Sequence, residues 1–93
     1  MMVAVISFAG SYGQKEGKKI TIKGSVVDGT NASIANAIIM VDGEKTGYVT
    51  DRDGFYKIKI SRKNTKIGVF TFTNGIVEEP IDGRSLINFR FAG

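Results

Sequence analysis

The chain has no cysteine, no histidine and no tryptophan, and it has a single proline. Without cysteine there are no disulfide staples, no thiolate-held zinc and no thiol nucleophile; the compartment is left undecided. Without histidine the commonest general base and the commonest transition-metal ligand are gone. No catalytic or metal-binding constellation stands in the remaining residues, so no enzymatic activity, no cofactor and no resident metal are expected. No apolar run approaches the roughly 20 residues that a membrane-spanning helix needs. No long helical period, internal repeat, coiled coil or low-complexity segment is present.

What remains is 93 residues, enough for one small domain with a modest core. Hydrophobic residues make up 42%, ordinary for a soluble fold. Thirteen Lys or Arg against nine Asp or Glu give a net charge of +4. The basic residues spread from Lys15 to Arg90, which describes a solvated surface rather than a nucleic-acid patch.

Residues 1–13 differ in kind from the rest of the chain. They carry no charge, run apolar from Met1 to Phe8, and then turn to small residues. This is the pattern of a secretory leader's apolar core and cleavage region, with Ser11 and Gly13 placed for cleavage before Gln14, or Ala9 and Ser11 for cleavage before Tyr12. A basic leader is missing, so either the true start lies upstream of Met1 or the segment is retained as an extra apolar strand. Export is the expectation, to the periplasm or outer membrane of a Gram-negative cell, with residues 14–19 as a polar linker and 20–93 as the folded domain.

The domain reads as short strands between turns. Ile20–Asp28 alternates, with Ile20, Ile22 and Val26 on one face and Thr21, Lys23 and Ser25 on the other. Ala37–Val41 is nearly continuously apolar. Gly47–Ile60 reads as a hairpin: Tyr48, Val49 and Thr50 favour a strand, Asp51-Arg52-Asp53-Gly54 a turn, and Phe55–Ile60 a second strand with Tyr56, Ile58 and Ile60 inward. Thr65–Thr73 places Phe70 and Phe72 opposite Ile67 and Val69, and Asn74-Gly75 is a two-residue hairpin signal. Pro80 puts Ile76–Ile81 at a sheet edge. Ser85–Ala92 sets Ile87, Phe89 and Phe91 against Asn88 and Arg90. Five Asx-Gly pairs punctuate the series, the pattern of an all-β sandwich or barrel.

Taken in order, these residues resemble a carboxypeptidase regulatory-like domain. Ile22-Lys23-Gly24-Ser25-Val26-Val27-Asp28 matches an opening I-x-G-x-V-x-D, and Ile34–Val41 stands in the place of P-L-P-G-A-x-V-x-V. Thr46–Gly54 is very similar to T-G-x-x-T-D-x-D-G, with Tyr56 as the aromatic that comes after it. Ser33, Ala35 and Asn36 replace the family loop's two prolines and its glycine, and Ile76 replaces a late aromatic. The resemblance implies an all-β, seven-stranded antiparallel Greek-key β-sandwich of the transthyretin or prealbumin type. It also implies a non-catalytic accessory module, one branch of which precedes the plug of TonB-dependent outer-membrane receptors. A chain ending at Gly93 would then be a free-standing copy or an excised piece of such a protein.

The candidate ligand or partner residues are Tyr48, Asp51, Asp53 and Asn74, in turns that could dock an envelope protein such as a nutrient-uptake receptor; Asn31 marks a further turn. Docking along an exposed strand edge is the companion expectation. The second function class is a small-ligand binder. Asp51 and Asp53 sit two apart, as calcium ligands can, although the set lacks the remaining positions of a full loop. Phe89, Arg90 and Phe91 could stack on a sugar, against the plainer reading of core packing. Lys57, Lys59, Arg62, Lys63 and Lys66 with Tyr56, Phe70 and Phe72 could form a nucleic-acid platform, but their alternation favours a solvated face over a core. A transthyretin-like hydroxyisourate hydrolase is excluded by the missing histidines and the missing Tyr-Arg-Gly-Ser tail.

Overall fold

Alternating strands decide the fold. A computed structural model describes residues 19–92. The expected leader at 1–13 and most of the linker at 14–19 lie outside the described residues. The strands are β1 (Lys19–Val27), β2 (Ile38–Val41), β3 (Glu44–Val49), β4 (Phe55–Ser61), β5 (Lys66–Thr71), β6 (Gly75–Pro80) and β7 (Phe89–Arg90). The described residues contain no helix.

The strands form two sheets, one ordered β4-β1-β7 and the other β3-β2-β5-β6. Ile22 and Val26 of β1, Tyr56, Ile58 and Ile60 of β4, and Phe89 of β7 are buried, as are Ile39 of β2 and Ile67 and Val69 of β5. These side chains belong to a single hydrophobic cluster shared by both sheets, so the inner faces pack on each other as a β-sandwich. The inward parities read from β1 and β4 hold. β5 turns Ile67 and Val69 inward and leaves Phe70 half-buried; Phe72, which the alternation would place in the core with Tyr56 and Phe70, is 89% exposed in the loop that follows.

Three expectations about connection give way. The first is the Gly47–Ile60 hairpin. β3 lies in one sheet and β4 in the other, so Asp51–Gly54 is a passage between sheets rather than the tip of a hairpin. The reason is Thr50, which is buried between them and bonded to the Ile34–Ala37 loop. A turn signal gives the chain's reversal and says nothing of which sheet receives it.

The second is the antiparallel last strand. β4–β1, β2–β3, β2–β5 and β5–β6 are antiparallel, but β7 runs parallel to β1, with Val26 opposite Phe89. The chain turns at Asp82-Gly83, where Arg84 N–H donates to Ile81 O at 2.8 Å, and then joins the opposite sheet. A strand that arrives by crossing between sheets is not bound to the antiparallel sense that a hairpin imposes. The strand expected over Ser85–Ala92 is also broken. Lys23 bridges Leu86, but at Ser25 the side chain of Asn88 takes the place of the ladder, its Oδ1 accepting Ser25 N–H at 2.9 Å.

The third is the turn at Asn74-Gly75. Thr71 pairs with Gly75, leaving three loop residues, Phe72–Asn74, and only Gly75 of that pair has a positive φ (88°). That is a three-residue hairpin closed by a left-handed glycine, with Thr71 Oγ1 accepting Asn74 N–H at 2.8 Å. The tight two-residue form occurs instead at Asp42-Gly43, both left-handed (φ 51° and 82°), joining β2 to β3. Pro80 does close an edge strand, β6.

Candidate functional site

The segment that most resembles the regulatory-domain motif is tied down residue by residue. Thr46 Oγ1 donates to Ile39 O at 2.7 Å and accepts Tyr48 N–H at 3.1 Å. Thr50 Oγ1 donates to Ile34 O at 2.6 Å and accepts Ala37 N–H at 2.9 Å. Asp51 Oδ1 accepts the N–H groups of Asp53 and Phe55, both at 2.9 Å, which folds the turn back on its first carboxylate. Gly54 completes it at φ 81°; a Cβ there would stand 2.8 Å from Val26 O. Val26 N–H in turn donates to Gly54 O at 2.8 Å, fastening the passage to β1.

The opening motif is structural in the same way. Ile22 and Val26 fill the core, and a Cβ on Gly24 would stand 1.8 Å from Ile87 O, so only glycine admits the last segment this close. Asp28 Oδ1 accepts Thr30 Oγ1–H at 2.7 Å and the N–H groups of Thr30 and Ala32. Those bonds, the Thr30 hydroxyl first, hold the Asp28 carboxyl below its usual range. Asn36, where the resemblance expects glycine, takes a positive φ of 58°, a conformation Asn tolerates better than most residues.

Both motifs fall within the stretch that a family comparison recognises: the family model described as CarboxypepD_reg-like domain matches residues 22–82. The chain belongs to the CarboxypepD_reg-like domain family. No curated protein and no solved structure matches the chain. Membership is consistent with a non-catalytic module.

In this CarboxypepD_reg-like domain the candidate residues separate. Asp51 lines an open groove of about 460 Å³ on the outer face of the β4-β1-β7 sheet, together with Val49, Phe55, Lys23, Lys57 and Leu86. Tyr48 lines an adjoining hollow of about 300 Å³ with Thr21, Lys57 and Lys59. Lys57 is common to both. Asp53 lines neither hollow, and Asn74 sits at the tip of the β5–β6 hairpin in the other sheet. The structure therefore brings Tyr48 and Asp51 to neighbouring hollows and leaves Asp53 and Asn74 outside them.

Tyr48, Val49, Phe55 and Leu86 are between 47% and 59% exposed, although all four are large and apolar or aromatic. Sequence reasoning missed Phe55, Leu86 and Lys23 as members of one surface. A signal was present: Phe55 shares the solvent-facing parity of Lys57 and Lys59, and Leu86 that of Asn88 and Arg90. An apolar residue in the polar phase of a strand is a surface feature awaiting an explanation.

Two sharper readings give way on geometry to the plainer ones set against them. Phe89 and Phe91 are buried, and Arg90 donates to Asn31 Oδ1 at 2.5 Å and to Gly29 O at 3.0 Å, so they offer no sugar-stacking surface. The basic cluster is divided: Tyr56 is buried with its hydroxyl donating to Ile87 O at 2.6 Å, Phe70 and Phe72 lie with the other sheet, and Lys66 pairs with Glu78 at 3.5 Å. Burial pushes the Tyr56 phenol well above its usual range. Asp51 commits one carboxylate oxygen to its own turn, and the described residues hold no group of three or more acidic, His or Cys side chains that could bind a metal.

Proposed function

We propose that this domain is a non-catalytic docking module, exported to the cell envelope, whose partner is an envelope protein such as an outer-membrane uptake receptor. In this reading the strands follow the Greek-key, transthyretin-like arrangement that the family resemblance implies. One observation carries the docking role. Tyr48, Val49 and Phe55 are exposed around a corner where, among the described residues, β3 and β4 each lack a hydrogen-bonded neighbour on one side, and exposed Leu86 lines the same groove from across β1. Unpaired edges recruit extended segments through backbone hydrogen bonds, and exposed apolar side chains beside them supply area to bury.

The test is affinity capture from envelope extract with the 93-residue chain as bait, run beside Val49→Asp and Phe55→Glu. Both positions are solvent-facing, so the variants should keep the circular-dichroism spectrum and melting profile of the parent. Loss of a specifically recovered envelope protein in both variants supports docking at this corner. Equal recovery by folded variants removes the proposal.

A second reading, a small-ligand site for a glycan or calcium, is favoured by the groove itself, whose volume falls in the roughly 300–1,000 Å³ range of ligand pockets. Titration with neutral oligosaccharides and with calcium, followed by amide shifts at Tyr48, Asp51 and Asp53, decides it. No shift at these residues with either ligand discards this reading.

A further inference from the structure

The outer face of the β4-β1-β7 sheet carries three lysines that make no ion pair among the described residues. Lys23 and Lys57 are direct cross-strand partners in the β1–β4 ladder, and Lys59 stands two residues along the same strand, opposite Thr21. Directly opposed like charges destabilise an antiparallel pair. The two ion pairs among the described residues, Lys66–Glu78 and Arg84–Glu79, lie elsewhere. Beside the lysines stand Phe55 and Leu86, 56% and 59% exposed, with Val49 and Asp51 at the groove's margin.

We propose that this groove, with the adjoining hollow that shares Lys57, binds an extended acidic peptide segment of a partner protein, one that places carboxylates on Lys23, Lys57 and Lys59 and an apolar side chain between Phe55 and Leu86. The inference rests on the docking role proposed above and gives the partner its chemistry. The spacing suits it: Lys57 and Lys59 are about 7 Å apart along the strand, which is the repeat of same-side side chains in an extended peptide. A second copy of this chain is a poor occupant. Two such faces would set lysine against lysine, and Glu78 and Glu79 are already engaged with Lys66 and Arg84. A single nucleic-acid strand fits less well, because such strands stack successive bases on several aromatic side chains and Phe55 is the one aromatic among the groove's exposed apolar residues.

The experiment uses the full chain and three fluorescein-labelled probes. One is a peptide with Glu at alternate positions and one Phe, the second replaces each Glu by Lys, and the third is an oligothymidylate of equal negative charge. Binding is read by anisotropy at two salt concentrations and mapped by amide shifts. The acidic peptide should bind best, weaken with salt, and shift the amides of Lys23, Phe55, Lys57 and Leu86. The double variant Lys23→Glu/Lys57→Glu keeps a like-charge pair across the same ladder, so it controls for folding; it should bind the acidic peptide about tenfold or more weakly and gain affinity for the basic one. Undiminished binding by the folded double variant overturns the inference. So does tighter binding of the oligothymidylate through the same amides. If the captured envelope protein is lost with Phe55→Glu but retained with Lys23→Glu/Lys57→Glu, the docking role stands and the acidic segment is wrong.

Discussion

Thr50 shows how much one hydroxyl can hold. It is the buried polar side chain among the described residues, and its Oγ1 both donates to Ile34 O and accepts from Ala37 N–H. Its backbone repeats the connection, with Thr50 N–H to Ala37 O and Asn36 N–H to Thr50 O, each at 3.0 Å. Thr50→Val keeps the shape but strands a part-buried carbonyl and a buried N–H, so it should cost about 2 kcal/mol. Thr50→Ser keeps the hydroxyl and loses a methyl group, for about 1 kcal/mol. Urea unfolding of the two variants checks the order; a Val variant as stable as the parent would mean that the hydroxyl is not what fastens the crossing. Gly24 makes the complementary case, where the absence of a side chain is the requirement. Gly24→Ala forces β1 and the last segment apart, because its Cβ would meet Ile87 O. The loss should localise: the amides of Ile87 and Phe91, which donate to Lys23 O and Val27 O, should exchange faster than those of β5.

Between elements, Asp42 performs a comparable task from the surface. It sits left-handed in the β2–β3 turn, yet its carboxylate accepts from Asn64 Nδ2 (2.8 Å), Thr65 Oγ1 (2.8 Å) and Lys66 N–H (3.0 Å), holding the β4–β5 connection. Those bonds, led by Asn64 and Thr65, depress its pKa to about 2. With the folded value below the unfolded one, the charged form's contribution is fully present above pH ~4 and is lost as pH falls through about 2. Asp42→Asn tolerates the same backbone conformation, so its stability deficit relative to the parent should be visible at pH 6 and shrink toward pH 2; for so exposed a group, screening keeps it near 1 kcal/mol or less. A deficit that does not change with pH would assign the effect to something other than the carboxylate's charge. This tie was not legible in the sequence, because Asp42 and Asn64 are brought together only by the pairing of β2 with β5. The positions of β1, β2, β4, β5 and β6 were legible, and so were the inward faces of β1 and β4, since a period of two survives in any sheet. Sheet membership was not: Asp51–Gly54 has the chemistry of a turn whether it closes a hairpin or crosses a sandwich. The candidate site divided the same way. Tyr48 and Asp51 were found through a contiguous motif, whereas Lys23, Phe55 and Leu86 come from three distant segments that meet only through the β1–β4 ladder and the Lys23–Leu86 bridge.

For the whole molecule, the lysine face sets stability against recognition. A net charge of +4 already disfavours the compact state slightly, and opposing Lys23 to Lys57 concentrates part of that cost in one ladder. If the face is kept for an anionic partner, removing the repulsion should stabilise the free domain while weakening docking. Lys57→Glu converts the like-charge pair into an opposite-charge pair and should raise stability by about 0.2–1 kcal/mol. Salt provides the internal check. The Debye length falls from about 30 Å at 0.01 M to about 3 Å at 1 M, so added salt should stabilise the parent more than the variant and narrow the gap between their melting temperatures. A Lys57→Glu domain that is less stable than the parent at low salt would show that the lysines are accommodated without strain. In that event an anionic partner would no longer be needed to explain why they face each other, and the peptide titration alone would have to carry the assignment.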